Sequence, residues 1–424
     1  MSRFRNILGN RNFSLLWVGQ IISQFGDRLD QMALIALIYH FAPGSTVQMA
    51  KLMSFTIIPV FLIGPIAGVY VDRWDRRRTM VVCDILRGIL ILLIPFYFIR
   101  LNSLLPIYAI VFLVFSIGRF YVPAKMSIIP DLVKSDDLLL ANSLVNTTGM
   151  VAAMFGLGLG GILVGMVGAE GGFLIDGVSF LISGIMIFFL STKAMRELKK
   201  ERLIDVGKEI AEVIRKSAID EMKEALIFLK NQKQIRSCFG ILFLLWAALG
   251  SIYVVSIVFV QKVFSSVTKE IGLLVAALGL GLFLGTLAYG RLGYKAAGFK
   301  TVFACILLAG MVLFSFVIAV LKIPNLLIAL LLAFILGLVI SPVMVISNTM
   351  VQQFTDNSMR GKVFSSLEIV VHLAFLLAML ISASLADRIG SVEILLTVSS
   401  LLFLIGLIGL LGRNDKITRA QGSY

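Results

Sequence analysis

Apolar residues in this chain come in long unbroken runs. Residues 89–94 and 326–340 contain no polar side chain, and neither stretch shows the two-residue alternation of a half-buried strand. Many such runs reach roughly 20 residues, the length a helix needs to cross a hydrocarbon layer about 30 Å thick. A membrane β-barrel would show ten-residue alternating strands instead. Hydropathy and turn signals predict twelve spans, starting near Phe13, Met49, Thr79, Leu104, Leu138, Gly171, Cys238, Glu270, Thr301, Pro324, Gly361 and Ser391. The expected fold class is an all-α polytopic membrane protein with twelve transmembrane helices in two pseudo-symmetric six-helix bundles.

Composition agrees and excludes more. Of 424 residues, 59% are hydrophobic and 15% charged, which rules out a water-soluble globule. The three cysteines, Cys83, Cys238 and Cys305, are scattered through apolar segments and read as packing residues, not a disulfide framework. The formal charge of +14 would suggest nucleic acid in a soluble domain. Its distribution points elsewhere. With the amino terminus inside, 29 of the 38 Lys and Arg residues fall on the inner side, six fall outside, and Arg28, Arg87 and Arg119 lie within spans. The positive-inside rule then places both termini in the cytoplasm, with the basic surplus facing anionic lipid and no nucleic-acid partner expected. The expected location is a bacterial-type inner (plasma) membrane.

Residues 193–236 form a polar segment of alternating charge, with a short amphipathic piece at Glu224, Ala225, Leu226, Phe228 and Leu229. It divides the chain into an N-terminal bundle (1–192), a cytoplasmic middle loop (193–236), a C-terminal bundle (237–412) and a cytoplasmic tail (413–424). Landmarks repeat across the division: Gly26 and Gly250, Gly68 and Gly285, and Pro123 and Pro342, the last pair expected to close spans 4 and 10, are offset by 224, 217 and 219 residues. A near-constant offset argues for a duplicated six-helix unit, and duplicated membrane bundles usually carry a central transport site.

Intramembrane ionisable residues need a partner or a water-filled cavity, because each costs roughly 2.5–3.5 kcal/mol at the bilayer centre. Span 1 holds the densest set. At 100° per residue, Gln20, Gln24, Asp27 and Gln31 share one face, with Ser23 and Asp30 on its edge. Asp27 and Asp30 lie about 21 and 26 Å along the span. Two carboxylates so close in a low dielectric are candidates to take up and release a proton, while Arg28 or Arg119 could instead neutralise one of them in a structural role. Span 11 supplies Glu368 and His372 at i and i+4, with Ser365, Phe375 and Met379 continuing the face. His372 is about 16 Å in, near the midplane; imidazole changes charge near neutral pH, so a proton relay with Glu368 and a satisfied interhelical hydrogen bond are the two readings. In span 3, Asp84 and Arg87 at i and i+3 are expected to pair with each other and support the neighbouring loop, and Asp176 in span 6 is expected to be a structural hydrogen-bonder. Glycines 149, 156, 158, 160 and 161 in span 5 read as a close-packing face.

The loop after span 2 reads Gly68-Val-Tyr-Val-Asp72-Arg73-Trp74-Asp75-Arg76-Arg77-Arg78. It resembles the signature loop of the major facilitator superfamily, departing from it at Asp75, where many members have glycine. Further matches resemble the macrolide-efflux and siderophore-exporter branch: Phe25-Gly26-Asp27, Pro130-Asp131-Leu132-Val133 with Ala141-Asn142-Ser143, Ile175-Asp176 with Ser179-Phe180, and Arg360-Gly361-Lys362-Val363-Phe364. The resemblance covers nearly the whole chain. It implies that Asp72 and Arg73 form a gate latch, with Asp72 meeting the start of span 11, where a helix dipole favours an anion. Gly68, Arg77 and Asp84 complete the candidate gating set, and the remaining loop arginines read chiefly as headgroup anchors.

The expected function is therefore secondary active transport by alternating access, with a hydrophobic or amphipathic small molecule exported in exchange for protons; export is implied by the resemblance alone. A lysophospholipid flippase is an alternative. So is a ferroportin-like divalent-metal exporter using Asp27 and His372. No nucleotide-binding loop or nucleophile–base pairing points to a pump or an enzyme. The expected partners are the substrate, protons and membrane lipids; the protein is expected to be a monomer with no cofactor.

Overall fold

The structure, a computed structural model, describes residues 4, 7–71, 74–101, 103–191, 233–292, 298–355 and 360–412. Asp72, Arg73 and the amphipathic piece at 224–229 lie outside the described residues. Among the described residues, twelve α-helices carry the fold: α1 (Arg11–Phe41), α2 (Thr46–Leu62), α3 (Gly64–Val71), α4 (Arg76–Leu101), α5 (Leu105–Leu132), α6 (Leu138–Phe188), α7 (Lys233–Phe264), α8 (Lys269–Leu292), α9 (Phe299–Lys322), α10 (Leu326–Phe354), α11 (Arg360–Ile389) and α12 (Ser391–Gly412). Among the described residues, nine helices are long and apolar enough to cross a membrane.

These helices do not map one to one onto the predicted spans. Predicted span 2 is interrupted at Ile63 and forms α2 and α3, whereas spans 5 and 6 run together as α6. Inside α6, Gly168 adopts φ 76° and ψ 175°. That conformation is open to glycine and strained for other residues, so the 51-residue helix turns there into two arms. Pro123 and Pro342 do not close helices as expected: α5 continues through Pro123 and Pro130 to Leu132, and α10 through Pro342 to Phe354. Membrane helices tolerate internal proline because neighbouring groups re-satisfy the freed carbonyl.

The chain forms two compact units, one made of Met1–Pro43 with Lys51–Asp220, the other of Gly44–Ala50 with Glu221–Tyr424. In the first, α1 packs along α6, α4 packs on both α6 and α5, and α3 packs on α5. In the second, α7 packs on α11, α9 on α12 and α10, and α8 on α10. The start of α1 is tied by short polar contacts. Asn10 caps it by accepting from the Asn12 and Phe13 amides and donates to the Leu132 carbonyl at 2.7 Å, while Asn12 donates to the Ser191 carbonyl at 2.7 Å.

On α4 and α6 of the first unit, several polar residues are buried while apolar side chains cover the exposed faces. On α4, Val82, Ile85, Leu86, Ile89, Leu93 and Phe96 are exposed, whereas Asp84 and Arg87 are buried. On α6, Leu174, Val178, Ile182 and Ile185 are exposed, whereas Asp176, Ser179 and Ser183 are buried. Water would reverse this arrangement; a hydrocarbon solvent favours it. Cys83 and Cys238 are buried and all three cysteines are free thiols, as their apolar settings implied.

Candidate functional site: a buried charge cluster

Several charged residues of the first unit converge. Arg87 of α4 donates from Nη2 to Oδ1 of Asp27 on α1 at 2.6 Å. Its guanidinium lies over the Phe180 ring of α6, 3.9 Å from the centroid. Gly118 of α5 backs the group, where a methyl would sit 3.7 Å from Cζ. One cation of α4 is thus held by three other helices at once, by charge, by an aromatic face and by shape.

Around it stand further carboxylates. Asp84, one turn before Arg87 on α4, accepts from the Ser183 hydroxyl of α6 at 2.7 Å. Asp176 of α6 is fully buried, with the Ser179 hydroxyl 3.3 Å from its Oδ1 and 2.8 Å from its own carbonyl. Asp176 lies within electrostatic range of Asp30, Asp27 and Arg87, and Lys125 of α5 within range of Asp27 and Asp84. Asp30 is buried one helical turn beyond Asp27. Within the described residues, Oδ1 of Asp84 and Oδ2 of Asp176 have no hydrogen-bond partner. Gly26 makes the assembly possible: a Cβ there would overlap Ser179 Oγ and Asp176 Oδ1, so only glycine lets α1 approach α6 this closely.

Several expected pairings are redrawn. The i, i+3 pair within span 3 is divided: Arg87 turns to Asp27 on α1, and Asp84 is met by Ser183 on α6. Asp84 is therefore part of the buried cluster. Asp27 pairs with Arg87; Arg28 donates to Gln31 Oε1 at 3.3 Å, and Arg119 is half-buried on α5. Gln20 donates to the Val145 carbonyl and Gln24 lies beside Gly149, so this end of the polar face of α1 looks toward α6. Gly156 and Gly160 of the glycine run receive α1 at Arg28, the close-packing role expected of them. Lys125 lies inside α5.

The loop arginines make protein contacts. Arg76 donates to Asp131 Oδ2 and to the Ser127 carbonyl, both at 2.7 Å. Arg77 donates to the Phe188 carbonyl and lies over the Phe188 ring at 5.4 Å. Asp75, where the signature loop usually has glycine, accepts the Arg78 amide at 2.7 Å and so caps α4. Headgroup anchoring is therefore not the whole role of this cluster of arginines. Gly68 lies in α3.

In the second unit, His372 Nδ1 is 2.8 Å from the Glu368 carbonyl. A carbonyl only accepts, so Nδ1 carries the proton in this contact. The ring stacks on Trp246 of α7 at 5.7 Å, and Phe375 meets Trp246 at 6.1 Å and Tyr253 at 5.6 Å. The histidine thus bonds the backbone of Glu368 and stands in an aromatic row. Among the described residues, no group of three or more His, Cys, Asp or Glu side chains is arranged to hold a metal ion.

Sequence reasoning singled out Asp27, Asp30 and Asp84 but gave Arg87, Asp176, Lys125, Ser179 and Phe180 no role in a shared site. Within their own segments Arg87 reads as the i, i+3 neighbour of Asp84, and the others read as isolated hydrogen-bonders, a loop-end lysine or an ordinary aromatic. The available signal was that spans 1, 3 and 6 each carry intramembrane charge that needs a partner.

Comparison with known proteins agrees with this arrangement of helices. The profile described as Major Facilitator Superfamily matches residues 16–378. Uncharacterized MFS-type transporter YfiS of Bacillus subtilis is 25% identical over 437 residues, covering 98% of this chain and 96% of its own. Macrolide efflux protein A of Streptococcus pyogenes is 23% identical over 393 residues, covering 89% and 90%. The crystal structure of the nucleoside transporter NupG superposes with a TM-score of 0.73 at 11% identity, covering 94% of this chain and 98% of that one. With its apolar helices, its buried charges and a profile match over most of its length, the chain belongs to the Major Facilitator Superfamily, a family of membrane transporters and not of enzymes.

Proposed function

We propose that the protein is a proton-coupled exporter of a hydrophobic or amphipathic small molecule, working by alternating access, with the buried charge cluster as its coupling site. The observation that carries this reading is the Asp27–Arg87 ion pair set among three further buried carboxylates. Four carboxylates, Asp27, Asp30, Asp84 and Asp176, share two cations, Arg87 and Lys125, so the cluster can gain or lose protons while its cations stay paired. A proton placed on Asp27 would release Arg87 to another carboxylate, and such a change of partner within a packed bundle is a two-state element of the kind transport needs. Each proton moving down a 100 mV potential supplies about 2.3 kcal/mol, enough for a substrate gradient of nearly fiftyfold.

Twelve crossings in two six-helix bundles, with both termini cytoplasmic, form part of the proposal. To the nine apolar helices it adds α1, whose charges turn inward, α2 with α3 as one interrupted crossing, and the second arm of α6. The export direction and the substrate class draw support from the efflux relative. In the gate, Asp72 and Arg73 would act beside Gly68 and Arg77.

The test is uptake of ethidium and of fluorescent lysophospholipid into proteoliposomes of purified protein, with and without an imposed pH gradient. Ethidium uptake that needs the gradient and is lost in Asp27→Asn and Asp30→Asn is expected. Gradient-driven ethidium uptake that survives both substitutions would remove the cluster from coupling, and lysophospholipid movement without ethidium movement would reject the substrate class.

A further inference from the structure

The start of α2 is held by a residue far along the chain. Asp387, in the last turn of α11, accepts from the backbone amides of Thr46 at 2.8 Å and Val47 at 3.3 Å. It also accepts from the Ser45 hydroxyl at 3.1 Å and from the Thr46 hydroxyl. The Thr46 hydroxyl lies 2.8 Å from the Ala383 carbonyl as well, and Thr46 is fully buried. One carboxylate thus meets two otherwise unsatisfied amides at a helix amino end, where the dipole favours an anion.

This cap is not needed to form the helix. Ser45 already serves α2 as a local cap, accepting the Gln48 amide at 3.3 Å. What Asp387 adds is a tie between the end of α11 and the start of α2. The grouping of residues marks the same place: Gly44–Ala50 cluster with the second unit, whereas Lys51 and the rest of α2 belong to the first. Farther along, α2 contains Pro59 and stops at Leu62 before α3 begins at Gly64. Proline and a helix break are points where a helix bends with little cost.

We propose that Asp387 is a gating residue, a latch that holds the first turn of α2 against the last turn of α11 in one state of the transport cycle and releases it in the other. Because the latch is made of one carboxylate and a helix end, it opens without leaving a buried cation behind, and water can satisfy both partners once they part. The site lies at the end of α1 and α2 remote from the amino terminus, so it would control the outer side. The inference rests on alternating access but on no coupling ion.

The experiment is double electron–electron resonance on full-length protein in lipid nanodiscs, with Cys83, Cys238 and Cys305 replaced by alanine and nitroxides at Gln48→Cys and Ile389→Cys. A short distance should dominate with Asp387 present, with a minor longer one. Asp387→Ala should move the ratio of short to long toward the long distance by about five- to tenfold, the size of a lost helix cap. Asp387→Asn, which keeps a capping oxygen without the charge, should fall between, as should Thr46→Val; both remain informative if the alanine variant fails to fold. A single unchanged distance in all three variants would overturn the latch and leave the contact as a structural cap. The coupling reading fails separately, if ethidium uptake ignores the pH gradient while the distances respond as described.

Discussion

Replacing Arg87 with glutamine strips the buried cluster of the cation that Asp27 contacts at 2.6 Å. Breaking a buried ion pair by removing one partner costs about 3–5 kcal/mol. Here the Arg87 side chain is 9% exposed but that of Asp27 is 34% exposed, so water partly solvates the stranded carboxylate. We therefore expect about 2–3 kcal/mol for Arg87→Gln, including the lost contact with the Phe180 face. Asp27→Asn leaves Arg87 with Asp84 and Asp176 nearby and should cost about 1–2 kcal/mol. The two changes should not add. With the charge gone from both sides, the double variant should be no less stable than Arg87→Gln alone, a coupling of about 1–2 kcal/mol. The assay is the thermal midpoint of the purified protein in one detergent, where Arg87→Gln should lower Tm by several degrees. If the fall in the double variant equals the sum of the single falls, the two residues are independent and the central pair of the site does not exist in the working protein. If the double variant regains stability without regaining pH-driven uptake, the pair is needed for coupling and not merely for folding.

Other outcomes follow from the same geometry. Gly26→Ala places a methyl against Ser179 and Asp176 and should cost about 1–3 kcal/mol, with part recovered in Gly26→Ala/Ser179→Ala; equal thermal midpoints for Gly26→Ala and the parent protein would deny the close approach of α1 and α6. Asp84→Asn keeps an acceptor for the Ser183 hydroxyl and should be tolerated within about 1 kcal/mol, whereas Asp84→Leu strands that hydroxyl and should cost about 1–3 kcal/mol more, read from yield and Tm. Arg76→Ala should change stability by less than about 1 kcal/mol, because its pair with Asp131 is partly exposed; a larger loss would show that the Ser127 carbonyl bond dominates. For topology, a cysteine at Gln48 should react with an impermeant maleimide added outside intact cells and one at Ser2 should not; the reverse pattern would invert the proposed orientation.

The amino-acid sequence by itself determined the kind of solvent and the kind of element. Unbroken apolar runs admit only helices in a hydrocarbon layer, since every backbone amide must be satisfied within its own segment. Predicted helix starts such as Leu138 and Ser391 coincide with those of α6 and α12, because turn residues punctuate an otherwise uniform apolar chain. It also identified Asp27 and Asp30 as costly residues with a reason to be kept. It did not disclose their partners. Spacing along one helix suggested that Asp84 would hold Arg87, but a neighbour at i+3 competes with every charge on the facing helices, and Asp27 of α1 is placed in line with the guanidinium while Ser183 of α6 meets Asp84. The same limit applies to Asp176, Lys125 and Asp387, each ordinary within its own segment. The pairing of charges depends on which helix faces are brought together, and that is set by close contacts such as Gly26 against Ser179, a matter of three-dimensional packing that no local period along the chain encodes.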